Sequence, residues 1–65
     1  MKILVNGVWR EMASSDVQSA LRELGYGDCV VATALNGEFV ATGARVSARL
    51  GDGDRLEILA PMQGG

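Results

Sequence analysis

Two Asn-Gly pairs, Asn6-Gly7 and Asn36-Gly37, each interrupt an apolar stretch of this 65-residue chain. Asn and Gly tolerate the positive φ angles that both central residues of a type I′ hairpin turn require. In residues 1–5, before the first pair, apolar side chains alternate in the period-two pattern of a half-buried strand. The sequence therefore predicts a β-hairpin at the start of the chain and a second one near its middle.

Between the two turns the apolar spacing changes to that of a helix. Ser14, Ser15 and Asp16 favour turns and helix N-caps, and we expect Asp16 to be the N-cap. Apolar residues then recur at i, i+3, i+4 and i+7, at Val17, Ala20, Leu21 and Leu24. Gly25 and Gly27 follow and end the helix. The sequence predicts one short amphipathic helix after the first hairpin.

Further strands are predicted at residues 8–12, which contain Trp9, and at residues 30–35, 39–40 and 55–60. Residues 42–50 are predicted to be irregular, because Gly43 and a mixed polar sequence interrupt any period. The order β-β-α-β-β-β lets the first and last strands pair in parallel at the centre of a sheet, with the helix across one face.

This pattern predicts an α+β fold of the β-grasp, or ubiquitin-like, kind, with a mixed sheet of four to five strands and one helix. We expect residues 1–60 to form this domain and residues 61–65 to form a flexible C-terminal tail. The predicted core consists of Ile3, Val5, Met12, Val17, Leu21, Leu24, Val31, Leu35, Val40, Leu50, Leu56 and Ile58.

The chain lacks the side chains that most catalytic sites need. It has no His and a single Cys, which excludes His-based triads, Cys-His pairs, an internal disulfide and Cys-rich zinc sites. A domain this small also has little apolar surface left to wall a deep pocket once its core is built. We therefore expect a protein substrate or binding partner with no cofactor, and not an enzyme.

Charge and hydropathy exclude two classes of partner. The six basic residues are scattered among eight acidic ones, so no basic stripe is available for nucleic acid. The apolar stretches are far shorter than the roughly 20 residues that span a bilayer, and Met1-Lys2 does not lead into a signal sequence. We expect a cytoplasmic protein that binds neither nucleic acid nor membrane.

The tail, Pro61-Met62-Gln63-Gly64-Gly65, is uncharged and ends on two glycines. Without Cβ atoms, Gly64 and Gly65 could pass through a narrow channel and leave the terminal carboxyl open to a phosphate and a nucleophile. A frayed chain end often has the same composition. From the residues alone, a functional tail and a frayed end stay equally open.

Three segments, distributed over the whole chain, favour a functional tail. They are Met1-Lys2-Ile3-Leu4-Val5-Asn6-Gly7, Ala34-Leu35-Asn36-Gly37-Glu38-Phe39-Val40, and Gly51-Asp52-Gly53-Asp54-Arg55-Leu56-Glu57-Ile58 with the terminal Gly64-Gly65. Together they resemble the ThiS family of sulfur carriers in thiamin biosynthesis, which shares its fold and terminal Gly-Gly with MoaD and ubiquitin. The sequence departs at residues 41–44, where the family often has a Pro-Arg pair, and Arg45 is a candidate replacement.

The resemblance implies chemistry at the carboxyl of Gly65, with Gly64 allowing the tail to thread into an active site. An E1-like adenylyltransferase of the ThiF type would adenylate Gly65, and a persulfide donor such as a cysteine desulfurase would convert it to a thiocarboxylate. A thiazole synthase of the ThiG type would then take the sulfur for thiazole phosphate. The alternatives are a MoaD-like carrier for molybdopterin, a ubiquitin-like modifier of lysines, and an interaction module with an inert tail.

Leu4, Ala34 and Leu59 alternate away from the predicted core. In a β-grasp sheet they would lie near one another on the face that the helix leaves open, which ubiquitin-like domains use for docking. Because a contiguous apolar group on a small protein often marks an interface, we expect a partner-binding role, with Met62 extending the surface toward the tail.

Four other residues receive structural interpretations. We expect Trp9 to be part of the packing, with an interface anchor as the alternative. Cys29 is expected to act as a small apolar residue and not to carry sulfur, because no basic neighbour in sequence favours its thiolate. Asp52 and Asp54 are interpreted as turn formers, since two carboxylates do not meet the oxygen count of a calcium site.

Overall fold

The computed structural model describes residues 1–60, which form five strands, one α-helix and a short 3-10 helix. The elements are β1 (Lys2–Val5), β2 (Val8–Glu11), α1 (Val17–Glu23), β3 (Ala32–Leu35), β4 (Glu38–Val40), the 3-10 helix (Thr42–Ala44) and β5 (Arg55–Leu59). The predicted order of strands and helix is confirmed. The predicted tail, with Met62, Gly64 and Gly65, lies outside the described residues.

The strands of residues 1–60 form a mixed sheet in the order β2-β1-β5-β3-β4. The first and last strands, β1 and β5, pair in parallel at its centre, and the remaining neighbours are antiparallel. This is the predicted β-grasp arrangement. It makes β5 the middle strand of the sheet, so the chain reaches residue 60 directly from the centre of the domain.

Both Asn-Gly pairs form the predicted hairpin turns. Asn6 and Asn36 have φ angles of 48° and 51°, and the glycines that follow them have φ angles of 82° and 85°. These left-handed conformations at two successive residues define a type I′ turn, whose twist matches that of the flanking strands. The turns join β1 to β2 and β3 to β4.

Hydrogen bonds at both ends of α1 fix the helix in the chain. The carboxylate of Asp16 caps the N-terminus by accepting from the Ser19 N–H (2.8 Å), which is the main reason that the pKa of Asp16 is lowered. Near the other end, Glu23 accepts from the Ser14 hydroxyl (2.6 Å) and from the N–H groups of Ala13 and Ser14. The Ser14 hydroxyl is the largest cause of the lowered pKa of Glu23.

The core lies between α1 and one face of the sheet. Its buried cluster consists of Ile3, Val5, Met12, Val17, Ala20, Leu21, Val31, Leu50, Leu56 and Ile58. The prediction was correct for most of these residues, and Val40 is also buried. Leu24 and Leu35, also predicted to be core residues, pack against the margin of this cluster. They are only partly buried.

Two polar residues, Thr33 and Arg45, are buried on the same side of the sheet as the core. The Thr33 hydroxyl donates to the carbonyl of Val40 (2.9 Å) and accepts from Nε of Arg45 (3.1 Å). A terminal guanidinium nitrogen of Arg45 donates to the carbonyl of Val31. Arg45 therefore joins residues 41–50 to β3, and this burial argues against its use as a surface contact.

Candidate functional site

The strand pairing brings a set of residues to the face of the sheet opposite the core. Leu4 lies opposite Trp9 on one side and Arg55 on the other, while Ala34 lies opposite Phe39 and Glu57. Directly paired residues point to the same face, and all of these alternate with buried positions. We call this surface the open face; it comprises Leu4, Trp9, Ala32, Ala34, Phe39, Arg55, Glu57 and Leu59.

The three docking residues predicted within residues 1–60 all lie on the open face, on the adjacent strands β1, β5 and β3. Leu59 is 73% exposed, whereas Leu4 and Ala34 are partly covered by their neighbours. Leu59 lies opposite Ala32 and is the last residue of β5. The structure thus brings these residues to one surface, while their role in binding stays a prediction.

Two large aromatic side chains also belong to the open face. Phe39 is 74% exposed and Trp9 is 57% exposed, so the expectation that Trp9 serves packing is wrong. Trp9 is on the edge strand β2, whose residues are all exposed, and it shares the open face with its partner Leu4. Phe39 was not predicted from the sequence as a residue of this face. Pairing residues outward from the Asn36-Gly37 turn sets Phe39 opposite Ala34, which would have indicated its position.

The open face has a charged centre between two apolar areas. Arg55 and Glu57 lie on β5, with Leu4 and Trp9 toward one edge of the sheet and Ala34 and Phe39 toward the other. Within residues 1–60, neither Arg55 nor Glu57 forms a salt bridge. The exposed apolar side chains suit a protein partner, and the central charges are free to set its orientation.

The end of β5, from which the chain leaves the sheet, is held by the side chain of Asn6. Its Oδ1 accepts from the N–H of Ile58 (2.8 Å), and its Nδ2 donates to the carbonyl of Ile58 (3.1 Å). At the start of the same strand, Oδ1 of Asn36 accepts from the N–H of Arg55 (3.0 Å). The two turn asparagines therefore bind opposite ends of the central strand.

Cys29 is exposed beside Arg22 and Asp28, so it does not act as a buried apolar residue, and that it does not carry sulfur stays a prediction. The interpretation of Asp52 and Asp54 is confirmed. Asp52 accepts from the N–H of Lys2 (2.7 Å), and Asp54 accepts from the N–H of Gly51 (2.7 Å).

In residues 1–60, no group of three His, Cys, Asp or Glu side chains is placed to hold a metal ion. No helix in that range is long and apolar enough to cross a membrane.

Comparisons with known proteins agree on one family. The model of the ThiS family matches residues 3–65. A thiazole synthase from Paramagnetospirillum magneticum is 39% identical over 66 residues, which cover 100% of this chain and 20% of that protein. The chain thus spans about a fifth of the length of this curated relative. A crystal structure of the thiamine biosynthesis protein ThiS from Geobacter metallireducens superposes with a TM-score of 0.83 at 30% identity, over 100% of both chains.

Proposed function

The chain belongs to the ThiS family of sulfur carriers, and we propose that it supplies sulfur for thiamin biosynthesis as a thiocarboxylate formed on Gly65. The observation that carries this proposal is the extent of the family match, which runs through Gly64-Gly65. The full-length similarity to a thiamine biosynthesis protein supports the pathway. The similarity to part of a thiazole synthase supports the step at which the sulfur is used.

The proposed loading reaction overcomes the low reactivity of a carboxylate. A ThiF-type adenylyltransferase joins the carboxyl of Gly65 to AMP and releases pyrophosphate. The outer sulfur of a persulfide then attacks the acyl carbon, forming a C–S bond as AMP leaves, and a thiol reductant cleaves the S–S bond carried over from the persulfide to leave a thiocarboxylate. A ThiG-type thiazole synthase takes this sulfur for the thiazole ring. In this scheme the carrier contributes the reacting carboxyl and the docking surface, and its partners contribute the catalysis.

We propose that both partners recognise the open face. Leu59 and Phe39 give it exposed apolar area, and Arg55 and Glu57 lie at its centre without a salt bridge to any of residues 1–60. This face includes Leu59, which is one residue before the end of the described chain. A partner bound there would therefore hold the start of the tail close to its own surface, with Met62 as a further proposed contact. In this proposal, docking on the open face and presentation of Gly65 depend on each other.

Mass spectrometry of the intact chain tests this proposal. After incubation with a ThiF-type enzyme, ATP, a cysteine desulfurase and cysteine, we expect the mass to rise by the exchange of one oxygen for sulfur. Deletion of Gly65 should abolish the change, whereas Cys29→Ser should leave it intact. Conjugates of higher mass would instead indicate a ubiquitin-like modifier, and an unchanged mass would indicate an inert module.

A second measurement checks the pathway. The loaded chain is mixed with a ThiG-type thiazole synthase and the remaining substrates of that enzyme, and sulfur transfer is followed by the return of the chain to its original mass. Transfer supports the thiamin assignment. A loaded chain that gives up sulfur to molybdopterin synthase and not to thiazole synthase would point to a MoaD-like carrier.

A further inference from the structure

We propose that Asn6 is a positioning residue for the loading of Gly65, because its side chain fixes the point at which β5 leads into the tail. This inference rests on the proposed function. It concerns a residue that lies 52 positions before its partner Ile58 in the sequence. Asn6 lies in the turn at the end of β1, beside the open-face residues Leu4 and Arg55, but its side chain is bonded to the backbone of Ile58, so we expect its loss to act on the tail and not on docking.

The parallel ladder between β1 and β5 is short. It pairs Leu4 with Arg55 and Val5 with Leu56, after which the chain turns away at Asn6. The backbone N–H of Asn6 still reaches the carbonyl of Leu56 (3.0 Å). Beyond this point the backbone of β1 offers no partner to Ile58, because the hairpin has already begun.

The side chain of Asn6 replaces the missing backbone. A carboxamide carries one acceptor and donors in the same arrangement as a peptide group, so it can form one rung of a ladder. Here it satisfies both the N–H and the carbonyl of Ile58, at 2.8 and 3.1 Å. On its other side the end of β5 pairs with β3, through Ile58 and Leu59. Without the side chain of Asn6, the last part of β5 would be held from one side only.

This attachment bears on reaction rate because Ile58 is only three residues before Pro61, at which the predicted tail begins. The proposed adenylation requires the carboxyl of Gly65 to meet a phosphate of ATP in a defined geometry, and such reactions lose rate when the reacting group is misplaced. If the end of β5 frayed, the position and direction of the chain at the start of the tail would vary from molecule to molecule. The fraction of docked complexes with a correctly placed carboxyl would fall, although docking itself would not change.

The second turn supplies a matched control. Asn36 has nearly the same φ angle as Asn6, and its Oδ1 accepts from the N–H of Arg55 at the start of β5. Glycine adopts positive φ without strain, so Asn6→Gly and Asn36→Gly both keep the turn and remove the side-chain bond. Only the first variant frees the end of β5 that leads to the tail.

The experiment measures adenylation of the full chain by a ThiF-type enzyme, through exchange of pyrophosphate into ATP, below the unfolding temperature of every variant. We expect Asn6→Gly to lower kcat about tenfold while the KM for the carrier is unchanged. Asn36→Gly should retain the wild-type kcat. Amide hydrogen exchange at Ile58 and Leu59 should quicken on the order of tenfold in Asn6→Gly alone, since one side-chain attachment is lost.

The outcomes separate this inference from the proposed function. If the wild-type chain is not adenylated, the proposed function is wrong and the positioning role fails with it. If the wild-type chain is adenylated and the two glycine variants have equal kcat, the positioning role alone is wrong. Should Asn6→Gly fail to fold, Asn6→Asp keeps the acceptor for the Ile58 N–H and loses the donor. An intermediate kcat for Asn6→Asp supports the inference, and a wild-type value contradicts it.

Discussion

The face of the sheet that α1 covers and the open face are built from the same strands, yet they use their side chains differently. Along β5, Leu56 and Ile58 are 0% and 4% exposed, whereas Leu59 on the other face is 73% exposed. Apolar residues on the covered face lose contact with water when the chain folds, and those on the open face largely do not. The free energy of folding therefore comes mainly from the covered face. Side chains on the open face contribute little to it and are available for binding a partner.

Each face also contains residues that are unusual for it. The covered face includes the polar pair Thr33 and Arg45, and the open face includes the aromatic side chains of Trp9 and Phe39. The buried pair forms hydrogen bonds within the domain, whereas the aromatic residues leave much of their surface in water. Substitutions on the two faces should therefore separate into effects on the free energy of unfolding and effects on binding.

The largest effect on stability is expected from Leu56→Ala on the covered face. Removing a fully buried leucine side chain costs about 2–5 kcal/mol, which is a large part of the stability of a domain of this size. The control is Leu59→Ala, the same substitution three positions further along β5 on the open face, for which we expect less than about 0.5 kcal/mol. Urea denaturation followed by circular dichroism measures both. Equal losses would contradict the division between the faces.

A smaller effect is expected when the polar pair of the covered face is separated. Arg45→Met removes the guanidinium that donates to the Val31 carbonyl, and Thr33→Val removes the hydroxyl that donates to the Val40 carbonyl and accepts from Nε of Arg45. Each single substitution should lower the free energy of unfolding by about 1–3 kcal/mol. The double variant should lose less than the sum, because the two side chains share a hydrogen bond. Additive losses in the same urea measurements would show that the residues act independently.

Much of the fold was predictable because its signals are local. The Asn-Gly turns, the Asp16 cap and the spacing of the helix each depend on a few neighbouring residues, and the structure confirms them. The central position of β5 followed from the order of the elements and the need for the first and last strands to pair. The charge-free tail and its resemblance to a family suggested Gly65 without any structural information.

The features that were missed depend on contacts distant in sequence. Nothing near Arg45 indicates that it is buried, because its partners Val31 and Thr33 are on another strand. Trp9 is exposed because it lies on the open face of an edge strand, opposite Leu4, and no pattern within residues 8–12 shows that this face stays uncovered. Asn6 was recognised as a turn residue, but its bonds to Ile58 join residues 52 apart. A pattern within one segment cannot show such pairings.

The smallest effect on stability, and the largest on binding, is expected from Leu59→Asp on the open face. An exposed substitution should change the free energy of unfolding by no more than about 0.5 kcal/mol. If the open face docks the adenylyltransferase, a carboxylate at this exposed apolar position should raise the dissociation constant at least about tenfold, because it must lose water without a partner. Isothermal titration calorimetry with the ThiF-type enzyme measures this change.

The matched control for Leu59→Asp is Val8→Asp, which adds the same charge at a residue that is 57% exposed. Val8 lies opposite the buried Val5, so it is on the other side of the sheet from Leu59, at the edge of β2. A general effect of added negative charge would weaken binding in both variants to a similar degree. Loss of binding in Leu59→Asp alone would assign docking to the open face, and unchanged affinity in that variant would remove Leu59 from the interface.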